Sequence, residues 1–597
     1  MRRTPLALLS AALLLILPAI GPTIGNAQQG GTTSPAKPPV QRGSQTAAQL
    51  PLIPLDGRYL AARVAEQDHD YDAAADQIDL ALAQTPDDPE LIYSAFRLRI
   101  YAGRLDAAAQ LAPQVLATRP GDGFANLVLA VQAIKKGDYR AAEQQIDKIG
   151  PENQLGPLRE YVLAWLKAGE KEFPAARAHL AQLKPAAGER AEAPALVIEA
   201  QIDEMAGDKA AAEAKYRHAI SLDPSGLRTT VAVAEGLRRL GKADDARQLL
   251  KTYGEKYSDA VVMDGLIGPN APAPKPPTAA AGISEILFDI GGILASDQRN
   301  PRADLGLIFY QLAAGLRPEH DFAWLMISGL YEQFQLIPKA IAALGKIGPG
   351  SPLYWQARLR IAALDAQQEK FDQAISQLRA LVAEKPDRID AALTLADLLR
   401  SKERYAEAVQ AYDTAIQRLH DTEERHWSVF FGRGIVEERL KQWPKAEADM
   451  KKALELSPEQ PHVLNYLGYS WIDQGLHLDE GMKMLERATE LRPDDGAITD
   501  SVGWAFYRLG QYDKAVEWLE RAIEQKGDDA TIIEHLGDAY WHVGRLREAR
   551  FQWERALNQK PDKDRLPVIK DKLANGLSVA NDKPTVYEKA ADTKQGG

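Results

Sequence analysis

The sequence predicts an all-α protein, a solenoid of about fourteen helix-turn-helix repeats set in two arms and ended by a closing helix. Three observations carry that expectation. A small residue recurs as Ala74, Ala108, Ala142, Ala176, Ala212, Ala246, Gly306, Ala340, Ala374, Ala408, Ala446, Gly481, Ala515 and Ala549, a step of 34 residues in most intervals. Seven positions later comes another packing residue, often alanine, as at Ala81, Ala219, Ala415, Ala453, Ala488, Ala522 and Ala556. Five positions after that, many copies carry a helix-ending proline, among them Pro86, Pro120, Pro224, Pro386, Pro458, Pro493 and Pro561.

The physical reason for this spacing is close helix packing. Two antiparallel helices approach tightly only where a methyl group or a hydrogen faces the neighbour. Gly468, Gly503 and Gly537 are therefore expected opposite Gly481, Ala515 and Ala549. Proline then stops the second helix, because it lacks the N–H that the next turn needs.

Taken in chain order, residues 1–27 read as a secretory signal peptide. Arg2 and Arg3 precede an apolar run from Leu6 to Leu17, and Gly25-Asn26-Ala27 supplies small residues for cleavage. The run is short of the roughly 20 residues of a spanning helix, and an uncleaved anchor is the alternative. A periplasmic location is expected. Residues 28–51, rich in Gln, Thr, Pro, Gly and Ala, read as a flexible linker. Residues 52–262 hold six repeats of an N-terminal arm.

Residues 263–282 form a Pro-rich linker containing PNAPAPKPP, which favours polyproline II and cannot be helix interior. This joint is expected to let the arms adjust. Residues 283–562 hold eight repeats of a C-terminal arm, with a longer loop around His420–Arg425. Leu566, Ile569, Leu573 and Leu577 recur at helical spacing in a capping helix, 563–577, that closes the stack and that Gly576 would end early. The tail, 578–597, is polar and expected to be disordered.

Composition excludes several functions. A net charge of −11 argues against a sequence-independent nucleic-acid binder. The absence of cysteine removes disulfides, thiolate metal sites, a cysteine nucleophile and an N-terminal lipid-modified cysteine. Neither a P-loop, a dinucleotide-binding glycine fingerprint nor a nucleophile elbow is present. No catalytic residue, cofactor or metal is expected, and the chain is read as a non-enzyme. Glu534, His535, Asp538 and His542 share parts of one helix, but His535 and His542 lie seven residues apart. Satisfied or exposed histidines are the reading adopted there.

Three phrases, NYLGYSWIDQG, DSVGWAFYRLG and EHLGDAYWHVG, place aromatic rings on the first helices of the last three repeats. Leu467, Gly468 and Trp471, then Val502, Gly503 and Phe506, then Leu536, Gly537 and Tyr540 form a core stripe, joined by Trp553. A second stripe is expected on the inner wall and is assigned to partner binding: Asn465, Tyr469 and Asp473; Asp500, Trp504 and Arg508; Glu534, Asp538 and His542. Rings beside carboxylates suit an extended protein or peptide segment, with basic residues on the partner. The alternative is that Tyr469 and Trp504 merely cement adjacent repeats.

Over residues 56–562 the pattern resembles the tetratricopeptide repeat (TPR). That resemblance implies a TPR solenoid wound as a right-handed superhelix. The run within 465–557 further resembles exported Gram-negative TPR proteins, including outer-membrane lipoprotein adaptors of carboxyl-terminal-processing proteases. It implies a periplasmic scaffold that brings a protease and its substrates together, with no catalytic residue of its own. The missing cysteine departs from those lipoproteins, so the chain would be soluble or peripherally membrane-associated. A scaffold for outer-membrane, secretion or polysaccharide assembly machinery is the alternative. The uncapped first helix, around Asp56–Gln67, leaves room for a homo-oligomer.

Overall fold

The computed structural model describes residues 55–150, 152–153, 155–183, 192–257, 273–296, 303–419, 421–578 and 582. The expected signal peptide, the 28–51 linker, residues 263–272 of the Pro-rich linker and nearly all of the tail lie outside them. Among the described residues there are twenty-nine α-helices and no strand, so the all-α expectation holds.

The helices come as pairs. The first six are α1 (Leu55–Gln67) and α2 (Tyr71–Leu82), α3 (Pro89–Tyr101) and α4 (Leu105–Thr118), α5 (Gly123–Lys135) and α6 (Tyr139–Ile146), α7 (Gly156–Gly169) and α8 (Phe173–Ala181), α9 (Ala193–Met205) and α10 (Lys209–Leu222), and α11 (Leu227–Arg239) and α12 (Ala243–Lys256). Next are α13 (Ala279–Ser296) and α14 (Ala303–Leu316), α15 (Asp321–Gln333) and α16 (Ile337–Leu344), α17 (Tyr354–Gln367) and α18 (Phe371–Glu384), and α19 (Asp390–Ser401) and α20 (Tyr405–Gln417). The last four are α21 (Trp427–Arg439) and α22 (Trp443–Leu456), α23 (Pro461–Gln474) and α24 (Leu478–Leu491), α25 (Gly496–Arg508) and α26 (Tyr512–Gln525), and α27 (Ala530–His542) and α28 (Leu546–Asn558). A single helix, α29 (Arg565–Asn575), follows them.

Every one of the fourteen small residues falls at the fourth position of a second helix, and every one is buried. The reason is visible at Gly468. A Cβ there would stand 2.7 Å from the carbonyl oxygen of Gly481, and one on Gly481 would stand 2.9 Å from that of Gly468. Backbone lies on backbone, and no side chain fits between. Local chemistry sets the helix starts. Asp70, Asp88, Asp122, Asp138, Asp208, Asp495 and Asp529 each accept from a backbone N–H of the first turn, a cap that contributes about 1 kcal/mol each.

The chain divides into two compact units, residues 1–374 and 375–597. This differs from the division expected at the Pro-rich stretch. The cause is the character of α13 and α14. Ten of the fourteen residues of α14 are buried, including Leu307, Phe309, Tyr310 and Leu312, and a helix apolar all round belongs inside. It packs on α3, α5 and α15, while α13 packs on α7.

Gly282 of α13 lets this happen: a Cβ there would lie 2.0 Å from the ring of Trp165 on α7, itself fully buried. Lys339 Nζ reaches Asp70 at 2.7 Å and Asp72 at 2.6 Å. Arg228 on α11 pairs with Glu285 and Asp289 on α13. One core cluster therefore joins residues from Ala62 to Ile202 with residues from Ala279 to Leu364, while α9–α12 hold a cluster of their own. The Pro-rich stretch leads into a helix docked on the first unit rather than into an independently adjustable arm.

In the second unit, successive pairs stack through α20 on α21, α26 on α27 and α28 on α29. Ile569 of α29 is fully buried, and Leu573 and Leu577 pack on the same core. Gly576, at φ +77°, ends the helix.

Candidate functional site

The first helices of the last three repeats, α23, α25 and α27, carry the nine residues assigned to the inner stripe. They share one region of the second unit, but most are internal. Trp504 is 5% exposed, Arg508 3%, Glu534 2% and Asp538 2%. Asp500 is buried as well. Asn465 and Tyr469 are half-buried, and the side chains of Asp473 and His542 keep about a quarter of their surface, 26% and 25%.

What buries them is a set of polar contacts, most of them running to the next repeat or to the closing helix. Arg508 donates to Asp473. The Nδ1 of His535 lies 3.0 Å from Asp500 Oδ1. Lys572, 1% exposed on α29, donates to Glu534 Oε1 at 2.7 Å and to Asp538 Oδ2 at 2.6 Å. Arg565 also pairs with Glu534. Trp553 Nε1 donates to the second oxygen of Asp538 at 2.8 Å.

The basic partner expected for these carboxylates is thus supplied by the chain itself. Burial pushes the Glu534 carboxyl up, but the charges and hydrogen bonds of Lys572 and Arg565 outweigh it and hold the group below its ordinary range. Asp538, deeper still, is raised by burial despite Lys572.

Stacking joins the aromatic members. The Trp504 ring lies 4.5 Å from Tyr507 and 3.8 Å from His535, both nearly parallel. His542 stacks on Tyr512 at 4.1 Å. His535, not assigned to this stripe, is in its middle, satisfied by Asp500 and stacked on Trp504. Tyr469 packs against two core clusters, one shared by its own repeat and the next and one formed by the repeats that follow. Trp504, Asp500, Arg508, Glu534 and Asp538 therefore cement neighbouring repeats rather than face a groove. A carboxylate one period before a basic side chain was the signal available: Asp473 and Arg508 are 35 residues apart, as are Asp500 and His535, and Asp538 and Lys572 are 34 apart.

The core stripe lies where the spacing predicts. Leu467, Val502 and Trp553 are fully buried, and Trp471, Leu536 and Tyr540 nearly so. Phe506 is half-buried. Among the described residues no group of three or more His, Asp or Glu is placed to hold a metal ion, and no helix is long and apolar enough to cross a membrane.

Comparison with known proteins accords with the repeat. Residues 365–429 match a tetratricopeptide repeat model, and residues 503–544 match a second model described as TPR repeat. A TPR repeat-containing protein of Pseudomonas aeruginosa is 26% identical over 192 residues, 32% of this chain and 32% of that protein. The match thus spans about a third of the relative's length. Among solved structures, the Cut9–Hcn1 hetero-tetramer of APC/C aligns over 88% of this chain and 96% of its own, at 15% identity and TM-score 0.37. A tetratricopeptide repeat protein from Parabacteroides merdae aligns over 42% of this chain and 96% of its own, at 16% identity and TM-score 0.36.

Proposed function

Tetratricopeptide repeats suit this chain to be a protein–protein interaction scaffold, and we propose that it works in the bacterial cell envelope as a non-catalytic adaptor presenting substrates to a carboxyl-terminal-processing protease. The observation that carries the binding role is the partly open edge of the inner stripe. Asn465, Tyr469, Asp473 and His542 keep solvent-facing surface beside rings and carboxylates fixed by packing.

Such an edge needs no chemistry of its own. Holding protease and substrate on one chain raises the local concentration of each near the other. The N-terminal signal and the resemblance of residues 465–557 to exported adaptors support the envelope and protease parts of the proposal.

The test is affinity capture from periplasmic extract with wild type and an Asn465→Ala/Tyr469→Ala variant, whose folding is checked by circular dichroism. Retention of a carboxyl-terminal-processing protease by wild type, weakened in the variant, is the expected result. Capture of outer-membrane, secretion or polysaccharide assembly proteins without a protease would replace the adaptor with an assembly scaffold. Equal capture by both baits would move the binding face elsewhere.

A further inference from the structure

Beyond the closing helix, Asp582 returns to the stripe. Asp582 lies twenty-four residues after the end of α28. Its Oδ1 accepts the hydroxyl hydrogen bond of Tyr507 on α25, and its Oδ2 lies 3.0 Å from His542 Nε2 on α27. Its backbone N–H donates to Ser578 at 2.9 Å. One carboxylate thus joins a phenol and an imidazole from successive repeats.

The two donors are held ready for it. Tyr507 is fully buried, its ring stacked on Trp504. The ring of His542 is fixed against Tyr512, and Tyr507 meets both edge-on at 5.3 Å. Neither donor needs Asp582 to hold its place, because packing already fixes both rings. Two donors of fixed geometry converging on one point make a receptor for a carboxylate, whichever chain carries it. His542 is itself one of the residues of the partly open edge named above, so a segment lying there would meet the same pair.

We propose that Tyr507 and His542 form a carboxylate-binding subsite for an acidic side chain of a peptide segment, and that Asp582 occupies it in cis. The chain's own C-terminal segment then competes with any partner segment that brings an Asp or Glu to this point. The proposal rests on the stripe being a binding face, and deepens it by naming the ligand chemistry and the competitor. The protease identity plays no part in it.

The experiment uses full-length protein and a fluorescein-labelled, amidated peptide of residues 576–588, followed by anisotropy. The peptide should bind the Asp582→Ala chain at least tenfold more tightly than wild type, whose subsite is filled. Tyr507→Phe or His542→Gln, added to Asp582→Ala, should each weaken binding at least fivefold. A peptide carrying the same Asp582→Ala change should lose binding, and a free-acid version should bind as the amide does.

Equal binding to wild type and Asp582→Ala would overturn the proposal, as would indifference of the peptide to its own aspartate. Dependence on a free chain terminus would overturn the side-chain assignment. A thermal melt of each variant separates lost binding from lost folding. Because no protease enters this assay, its failure and the failure of the adaptor reading are separate results.

Discussion

Replacing Lys572 by methionine tests the cementing role of the charged stripe most directly. The ammonium is 1% exposed and serves two carboxylates, Glu534 and Asp538, that are themselves buried. Methionine keeps the stem and its packing while removing the charge. Taking one partner from a buried ion pair costs roughly 3–5 kcal/mol, since the other charge is left without compensation. Arg565 still reaches Glu534, and Trp553 still donates to Asp538, so the lower end, about 3 kcal/mol, is expected. At about 1.4 kcal/mol per tenfold change, that is roughly a hundredfold shift in the opening of α29.

Global melting blurs such an event in a repeat array, where neighbouring repeats open semi-independently. Native-state hydrogen exchange over Arg565–Asn575 is the suitable assay. Lys572→Met should speed exchange there far more than in α19 or α20. The triple variant Glu534→Gln/Asp538→Asn/Lys572→Met should recover much of the loss, because it leaves no buried charge unpaired, Arg565 being 42% exposed at its side chain. Unchanged exchange of α29 in Lys572→Met would refute the reasoning, and so would a triple variant no better than the single one.

Other outcomes follow from the same physics. Glu437 on α21 is 5% exposed, with a buried oxygen that lacks a partner. Burial, then the nearby Asp449 charge, pushes its carboxyl from 4.5 up to about 7. A raised carboxyl binds its proton more tightly in the folded state, so this stability is complete below pH 4.5 and lost as pH rises through about 7. Urea titrations from pH 5 to 8 should show the second unit weakening, and Glu437→Gln should flatten that slope and add up to about 3 kcal/mol at pH 8, at about 1.4 kcal/mol per unit.

Gly282→Ala drives a methyl into Trp165. Overpacking of this kind costs about 1–3 kcal/mol, partly offset by roughly 1 kcal/mol of helix propensity. The variant should lower the melting temperature of the first unit, and Trp165→Phe added to it should restore part of the loss. Arg508→Ala removes the ion pair with Asp473 one turn beyond Trp504 on α25, and should shift the tryptophan emission to longer wavelength. An unchanged spectrum would mean that the pair does not hold the ring.

The periodic part of this protein was legible in its sequence. Close helix crossing tolerates only Ala or Gly at one point per repeat. Residues such as Ala74, Gly481 and Ala549 therefore fix the pairs, their order and the fourth position on each second helix, whatever surrounds them. The same local constraint placed Leu467, Trp553 and Ile569 in the core.

What the period could not carry was the fate of faces that point away from their own partner helix. Whether Trp504 or Asp538 meets water depends on what lies over it: His535 of the next repeat stacks on Trp504, while Lys572, over Asp538, comes from the closing helix beyond the last repeat. The docking of α13 and α14 on the first unit is of the same kind. A helix apolar all round announces that it is buried, but only tertiary packing decides against which helices, and that choice moved the division of the chain from the Pro-rich stretch to residues 374 and 375. Helix pairing is set by neighbours in sequence. The covering of each face is set by groups far along the chain, and burial energy has no memory of sequence distance.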